Sequence, residues 1–369
     1  MKIINYTEAV NTTDKEIPAY FTHYYKDENL LFFDIETTGF MARNTTLYLI
    51  GVLWYENGQI KIRQWFNDDG QSEADLLSAF HTFCKNFSML VHFNGSGFDL
   101  PYLKQKAKLL HTTFTADSGM HQFDIFKEIR SYKKIFNLDN MKQVSIEHYL
   151  NINRDDTYTG KELINIYQRY VARPDNIKEH ILLCHNHDDL LGMPQISRIL
   201  NNKTFFEYLK PHDILLHEAM INDKKDKLNI IFHYPDYACL PNRIACSKYG
   251  LYLNASEQKA NLQIPVIENT LKHFFNDYKN YYYLPVEDTA IHKSVAAFVD
   301  SEHKRKATKS TCYIKKTDAF IPCFSEENTD IFQFNVDDKT SYQLLDSVLS
   351  EDLQALSHYV ILCLKAFTT

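Results

Sequence analysis

Glycine is scarce in this sequence. Only 10 of its 369 residues are glycine, whereas average usage of ~7% predicts about 26. Collagen-like, glycine-linker and glycine-rich low-complexity proteins are therefore excluded. Nine of the ten glycines lie between Gly39 and Gly192, and the tenth is Gly250. Each of them indicates a place where the backbone turns sharply or where another group comes close to it.

Cysteine pairs, long apolar runs and a positive net charge are also absent. The seven cysteines are dispersed, odd in number and without a CxxC pair, which argues against a disulfide framework or a structural zinc site. No run reaches about 18 consecutive apolar residues, and residues 1–24 have no apolar signal core. The net charge of −7 argues against a protein that coats duplex nucleic acid. These absences predict a reduced, cytoplasmic and soluble protein.

Strand-like and helix-like patterns alternate in the first half of the chain. The strand-like runs are Leu30–Phe33, Leu47–Tyr55, Gln59–Phe66 and Met89–Phe93, and the helix-like runs are Ser72–Phe87 and Phe98–Leu110. Asn57-Gly58 joins two of the strand-like runs and predicts a hairpin. This order predicts an α/β domain around one mixed sheet, over residues 28–205, with an N-terminal extension over residues 1–27 before it.

The remaining residues, 206–369, show a different pattern. Strand-like runs alternate there with helix-like runs, one of them over residues 287–299. We therefore predict a C-terminal α+β domain, to which the sequence assigns no role. In the helix predicted over 287–299, Asp288 and His292 would lie one turn apart.

Two carboxylates end a strand that is predicted to be buried. In Asp34-Ile35-Glu36, the side chains at positions i and i+2 of the strand point to the same face. Two carboxylates side by side repel each other unless a divalent cation neutralises them. The pair is therefore a candidate metal site, although a solvated strand end has the same pattern.

A loop with two glycines lies between the next strand and helix. It runs from His92 to Asp99 and contains Asn94, Gly95 and Gly97. Two of the ten glycines in one loop predict a sharp turn or a close approach by another group. Asp99 is then either a site carboxylate or a residue that favours the helix N-terminus, and Asn94 is either a site residue or a turn residue. The loop lacks the lysine of a Walker phosphate-binding loop.

A third polar group interrupts an apolar, helix-like run. The segment His185–Asp189 (HNHDD) has apolar residues on every side, so the helix is predicted to be buried and its polar groups to need partners. His185 and Asp189 share one helix face, and Gly192 continues that face and leaves room beside it. A His–Asp pair that satisfies itself in the core explains the pattern equally well, and Asp188 is an alternative to Asp189.

In this order and spacing, the three motifs resemble those of the DEDD-type 3′–5′ exonucleases of the ribonuclease H-like superfamily. That family has a DxE motif, an NxxxFD-type motif and a third motif that ends in Asp, which match Asp34–Glu36, Asn94–Asp99 and His185–Asp189. The third motif, with Leu150–Arg154 and Gly160 before it, is most similar to the YprB-like branch. The resemblance covers roughly residues 28–200 and implies a mixed five-stranded sheet flanked by helices.

One position departs from the family pattern. The proofreading-type branch has a histidine five positions before the last aspartate, and the other main branch has a tyrosine four positions before it. Here Cys184 lies five positions and His185 four positions before Asp189. His185 thus takes the place of the tyrosine, which leaves its role as a general base open.

The resemblance implies phosphodiester hydrolysis at single-stranded DNA or RNA ends with two divalent cations, Mg²⁺ or Mn²⁺. The implied catalytic residues and metal ligands are Asp34, Glu36, Asp99 and Asp189, the implied base is His185, and the implied substrate contacts are Thr37, Thr38, Phe40 and Asn94. A near-neutral pKa suits His185 to take a proton from the attacking water. Phe40 is placed either to stack on the terminal base or to pack in the core.

Other functions also remain open. One is a non-catalytic nucleic-acid or protein binding module on the same fold, although all four carboxylates of the family are present. Another is a nuclease that cuts internally or recognises a structure. In the C-terminal part, the basic residues of 303–316 and the tyrosines at 281–283 are typical of a single-strand channel, but a solvated basic loop is the simpler explanation. The sequence favours neither DNA nor RNA and predicts no oligomeric state.

Overall fold

The computed structural model describes residues 1–9, 16–114, 120–349 and 353–368. The chain divides into two compact units, Met1–Lys203 and Thr204–Thr369. Among the described residues, no helix combines the length and the apolar composition that crossing a membrane requires.

A six-stranded mixed sheet forms the centre of the first unit. Its strands are β1 (Lys2–Ala9), β2 (Leu30–Thr37), β3 (Leu47–Glu56), β4 (Gln59–Phe66), β5 (Met89–His92) and β6 (His121–Asp124). They lie in the order β1-β4-β3-β2-β5-β6, with β2, β5 and β6 parallel and the other pairs antiparallel. The predicted mixed α/β fold is confirmed, with six strands instead of five. The additional strand, β1, lies within the residues predicted as an N-terminal extension.

Helices surround this sheet. They are α1 (Ala19–Tyr24), α2 (Glu73–Cys84), α3 (Asp99–Leu109), α4 (Ile125–Ile129), α5 (Gln143–Tyr149), α6 (Gly160–Ala172), α7 (Asn176–Ile196) and α8 (Asn201–Lys203), with 3₁₀ turns at Arg130–Lys134 and Ser197–Leu200. Thr159 and Glu162 form a capping box at the start of α6, and Asp175 caps α7 by accepting from the Lys178 amide at 2.9 Å. These caps fix where the two helices begin.

The sheet has an apolar core on each face. On one face, Phe33 of β2 stacks on Phe80 of α2 with 5.4 Å between ring centroids. On the other, Tyr48 of β3 stacks on Tyr167 of α6 with 4.5 Å between centroids, and α7 packs beside it against β2 and β3. Because β2 and β5 are parallel, their carboxyl ends meet at one edge of the sheet, where ligands of open α/β sheets bind.

In the part of the chain that the structure describes, the second unit combines three sheets with several helices. The first sheet has the order β7-β8-β11-β10-β9, from β7 (Leu215–Ile221), β8 (Lys227–His233), β9 (Leu240–Lys248), β10 (Leu251–Glu257) and β11 (Lys259–Pro265). The second joins β12 (Ile267–Phe274), β16 (Tyr313–Pro322) and β17 (Tyr342–Leu344), and the third joins β14 (Thr289–His292), β13 (Tyr281–Leu284) and β15 (Arg305–Lys306). Its helices include the π-helical Thr204–Tyr208, α9 (Lys293–Ala296) and α10 (Leu353–Ala366). The predicted α+β composition is confirmed.

The helix predicted over residues 287–299 is wrong for most of its length. Only Lys293–Ala296 is α-helical, whereas Thr289–His292 is a strand. Asp288 has a φ of 50°, a left-handed conformation that turns the chain between β13 and β14 and does not occur inside an α-helix. Asp288 and His292 therefore do not form a helical pair.

Candidate active site

Asp34 lies on β2 and points to the sheet face that α7 covers. Its Oδ2 accepts a hydrogen bond of 2.8 Å from Asn186 Nδ2. Burial raises the pKa of Asp34 well above its ordinary value, and the charges of Asp189, Glu36 and Asp99 raise it further, against the Asn186 hydrogen bond. A carboxylate in such surroundings takes up a proton or a cation more readily than an isolated one.

A buried pair of amides fixes Asn186 against the sheet. Gln64 of β4 donates from Nε2 to Asn186 Oδ1 and to the Leu183 carbonyl, both at 2.9 Å. Gly51 of β3 leaves the space for Asn186, because a Cβ there would lie 1.9 Å from Asn186 Oδ1. The sequence did not identify Asn186 or Gln64. The signal was Gly51, since a glycine inside a strand indicates a close approach by another group.

A bulge in β3 brings Tyr48 to Glu36. The pairing of β2 with β3 shifts by one residue beside Glu36, and Tyr48 is the extra residue of the bulge. Its hydroxyl donates to Glu36 Oε2 at 3.2 Å. Burial raises the pKa of Glu36 to about 7, with Asp189 adding to the increase and His185 and Tyr48 opposing it.

Asp99 begins α3 and is buried. Burial raises the pKa of this carboxylate to about 7, and the charges of Asp124 and Asp189 raise it as well. Backbone N–H groups, among them that of Ile35 on β2, donate to the carboxylate and act in the opposite direction. The hydrogen bond from Ile35 places Asp99 next to the strand that carries Asp34.

Asp124 organises the loop before α3. It accepts from the backbone N–H of Asn94 at 2.9 Å and from that of Ser96 at 3.2 Å. His92 Nδ1 accepts from the Gly95 N–H at 3.1 Å, and burial lowers the pKa of His92 to about 4. A neutral His92 and a single carboxylate thus fix the loop, and Asn94, with a φ of 60°, holds its turn.

Helix α7 brings His185 between three carboxylates. Its Nδ1 lies 2.6 Å from Asp156 Oδ2, and its Nε2 lies 3.6 Å from Glu36 Oε1 and 3.5 Å from Asp189 Oδ2. Burial lowers the pKa of His185, but the charges of Glu36, Asp189 and Asp156 outweigh it, so that the pKa is raised. A neutral His185 that donates from Nδ1 to Asp156 presents its Nε2 lone pair to the space between the other two carboxylates. The His185–Asp189 pair thus belongs to a larger cluster.

Asp188 binds the loop that carries Asp156. Its Oδ2 accepts from the backbone N–H groups of Asp155 at 2.9 Å and Asp156 at 2.8 Å. The Asp156 side chain is 4% exposed. Asp188 therefore positions the partner of His185, while Asp189 faces Glu36 and His185.

Arg154 contacts Asp189 from the other side. Its Nη1 lies 2.7 Å from Asp189 Oδ1 and 2.9 Å from Glu147 Oε2. Glu147 is buried and fills the space that Gly192 leaves, since a Cβ on Gly192 would lie 2.3 Å from Glu147 Oε1. Glu147 of α5 thus occupies the space predicted beside Gly192. No local pattern indicated it, because 45 residues separate the two in the chain.

Thr37 and Thr38 form the turn after β2. The Thr37 hydroxyl donates to the Gly39 carbonyl at 2.9 Å, and the Thr38 hydroxyl accepts from the Thr46 N–H at 2.8 Å. Both hydroxyls therefore have partners within the chain, and each retains further capacity to accept a hydrogen bond.

Phe40 follows this turn and lies at the surface. It is 89% exposed, and its ring meets that of Phe98 edge-on with 5.8 Å between centroids. Packing of Phe40 in the core is therefore wrong. Asn94 is exposed as well, so both side chains are accessible to a molecule outside the protein.

The donor groups of this cluster fit a hard divalent cation. Ligand atoms of Glu36, His185 and Asp189 lie within 4.8 Å of one another. Burial, together with the charges of neighbouring carboxylates, raises the pKa values of Asp34, Glu36 and Asp99, and a bound cation would favour their charged forms. Carboxylate oxygens are the ligands that hard divalent cations prefer, and a cation between them would relieve the repulsion that burial makes costly.

Comparison with known proteins finds similarity over part of the chain. The chain aligns at 16% identity and a TM-score of 0.39 with the family B DNA polymerase from the hyperthermophilic archaeon Pyrobaculum calidifontis, over 47% of this chain and 25% of that one. It thus spans about a quarter of the polymerase. No curated protein matches. Residues 31–201 match the model of the RNase H superfamily, and this similarity supports a nuclease-type function.

Proposed function

We propose that the chain is a metal-dependent 3′–5′ exonuclease that hydrolyses phosphodiester bonds at single-stranded nucleic-acid ends. The observation that carries the proposal is the convergence of Asp34, Glu36, Asp99 and Asp189 with His185 around the carboxyl end of β2. Three of these carboxylates have raised pKa values. Such a cluster is unfavourable in a protein interior unless it binds cations.

In the proposed enzyme, Asp34, Glu36, Asp99 and Asp189 would hold two divalent cations. When bound, the cations lower the pKa of the attacking water and neutralise charge on the attacking and leaving oxygens. The Asn186 hydrogen bond keeps Asp34 oriented toward this space, as the Tyr48 hydroxyl does for Glu36.

His185 acts as the general base. Its Nε2 faces Glu36 and Asp189, so that it would take a proton from an attacking water held between these two carboxylates. Phe40, exposed at the turn after β2, stacks on the terminal base, and Asn94, Thr37 and Thr38 contact the terminal nucleotide.

The direction of degradation tests the proposal. With Mn²⁺, we expect the full-length protein to shorten a 5′-labelled single-stranded oligonucleotide stepwise from its 3′ end and to leave a circular single strand intact. Cleavage of the circle would instead indicate an endonuclease. Absence of products from DNA and RNA across a range of metals, in a protein that still binds Mn²⁺, would favour the binding module.

A further inference from the structure

The C-terminal unit contains a cluster of cations with few carboxylates. Residues 272–316 have nine Lys and Arg against five Asp and Glu, in a chain with a net charge of −7. Two of the three small sheets contribute to the cluster: β12 and β16 carry Lys272 and Lys315, and β15 carries Arg305. We refer to Lys272, Arg305 and Lys315 as the cation cluster.

Lys272 and Lys315 form the type of cross-strand pair in which side chains approach each other most closely. Lys272 and Lys315 are directly opposite in the antiparallel pair β12–β16. The backbone N–H and C=O of Lys272 bond to Gln333 on its other side, so the pair with Lys315 is a non-hydrogen-bonded one, in which side chains approach most closely. Like charges in that position destabilise a sheet.

Tyrosine rings support these cations, and one carboxylate joins them. Lys272 Nζ lies 4.5 Å from the ring centroid of Tyr313, and the Arg305 guanidinium lies 4.9 Å from that of Tyr283. Asp288 accepts from both tyrosine hydroxyls and forms the ion pair with Lys315. In the part of the chain that the structure describes, neither Lys272 nor Arg305 forms a salt bridge. Of the three cations, only Lys315 thus has a carboxylate partner among the described residues.

We propose that Lys272, Arg305 and Lys315 bind the phosphate backbone of a single-stranded nucleic acid. The charge of the cluster selects an anion, and Lys272 and Arg305, which have no carboxylate partner among the described residues, remain able to bind a phosphate. The choice of nucleic acid among anionic ligands rests on the proposed function. The cluster retains its mutual repulsion because a bound phosphate compensates it, which is a cost in stability for the sake of function.

A binding measurement on the full-length chain tests this inference. In an Asp34→Asn background that prevents hydrolysis, Lys272→Gln with Arg305→Gln should weaken binding of a fluorescein-labelled oligothymidylate at least tenfold. The slope of log affinity against log salt should fall by about 1.4, because each lost phosphate contact on a single strand contributes about 0.7. The matched control is Lys224→Gln with Lys225→Gln, which removes the same charge from the exposed turn between β7 and β8.

The melting temperature of a variant distinguishes a cluster kept for binding from one that stabilises the fold. Lys272→Gln alone should raise the melting temperature, because it removes the repulsion from Lys315, while it still weakens binding. Equal affinities for the cluster and control variants would overturn the inference, as would competition by polyglutamate as strong as that by unlabelled oligonucleotide. If the wild type binds the strand through the cluster but hydrolyses nothing, the proposed function fails and this inference stands.

Discussion

At the scale of single residues, the candidate site depends on side chains that act through others. Asp156 lies 2.6 Å from Nδ1 of His185, whereas Glu36 and Asp189 lie near Nε2. Asp188 accepts a hydrogen bond from the backbone N–H of Asp156. A carboxylate in that place fixes the orientation and the tautomer of an imidazole, whose other nitrogen then acts as ligand or base. Asp156 is therefore a positioning residue.

Replacement of Asp156 tests this role. Asp156→Asn should lower kcat roughly 10- to 100-fold, the usual effect of losing such a partner, with little change in KM. In a His185→Ala background, Asp156→Asn should not lower kcat further, because the effects of substitutions in residues that act as a unit are not additive. Asp155→Asn, which removes the neighbouring exposed carboxylate, is the control. Additive losses in the double variant would indicate a purely structural role.

Protonation of the carboxylates links metal-free stability to pH. The pKa of Glu36 is raised from 4.5 to about 7, so between these values the folded chain keeps a proton that the unfolded chain releases. This contribution to stability is complete below about pH 4.5 and is lost as the pH rises through about 7. In EDTA, the melting temperature of Glu36→Gln should therefore fall less than that of the wild type between pH 5 and pH 8. Parallel curves would contradict the raised pKa.

At the scale of elements, α7 distributes consecutive residues to different partners. His185 and Asp189 face the carboxylates of the site, Asn186 holds Asp34, and Asp188 holds the loop before α6. The spacing of His185 and Asp189 could be predicted from sequence, since helix geometry places i and i+4 on one face. The partners of Asn186 and Asp188 could not be predicted in this way. They lie on β2 and in the loop before α6, which are distant from α7 in the chain, so the local periodicity of α7 does not indicate them.

The contact between β3 and α7 gives an element-scale prediction. In Gly51→Ala the new Cβ would lie 1.9 Å from Asn186 Oδ1 and 2.7 Å from Leu190 Cδ1, so Asn186 must move from Asp34. We expect a loss of about 1–3 kcal/mol in unfolding free energy from overpacking, together with loss of activity. Gly160→Ala, at the start of α6 with no atom near its Cβ, is the control. Urea unfolding of both variants measures the difference, and equal midpoints would contradict the packing argument.

At the scale of the whole molecule, the two units differ in how far the sequence predicted them. The first unit has polar motifs at strand ends and helix starts, such as Asp34-Ile35-Glu36 and Asn94–Asp99. Such motifs indicate from the local sequence where a strand ends or a helix begins. The second has one glycine after residue 204 and no such motif. Its turn at Asp288 uses a left-handed non-glycine residue, which a propensity pattern does not reveal, and β14 was therefore predicted as helix.

The most direct test is the rate at which a labelled single strand is degraded in Mn²⁺ by the wild type, Asp34→Asn and Asp155→Asn, compared at equal fold stability. Asp34 lies at the centre of the carboxylate cluster, whereas the Asp155 side chain is exposed beside it. The proposed function predicts metal-dependent degradation by the wild type, near-wild-type rates for Asp155→Asn, and a loss of at least a thousandfold, about 4 kcal/mol in transition-state stabilisation, for Asp34→Asn. Undiminished degradation by Asp34→Asn, or none by the wild type with any divalent metal, would contradict it.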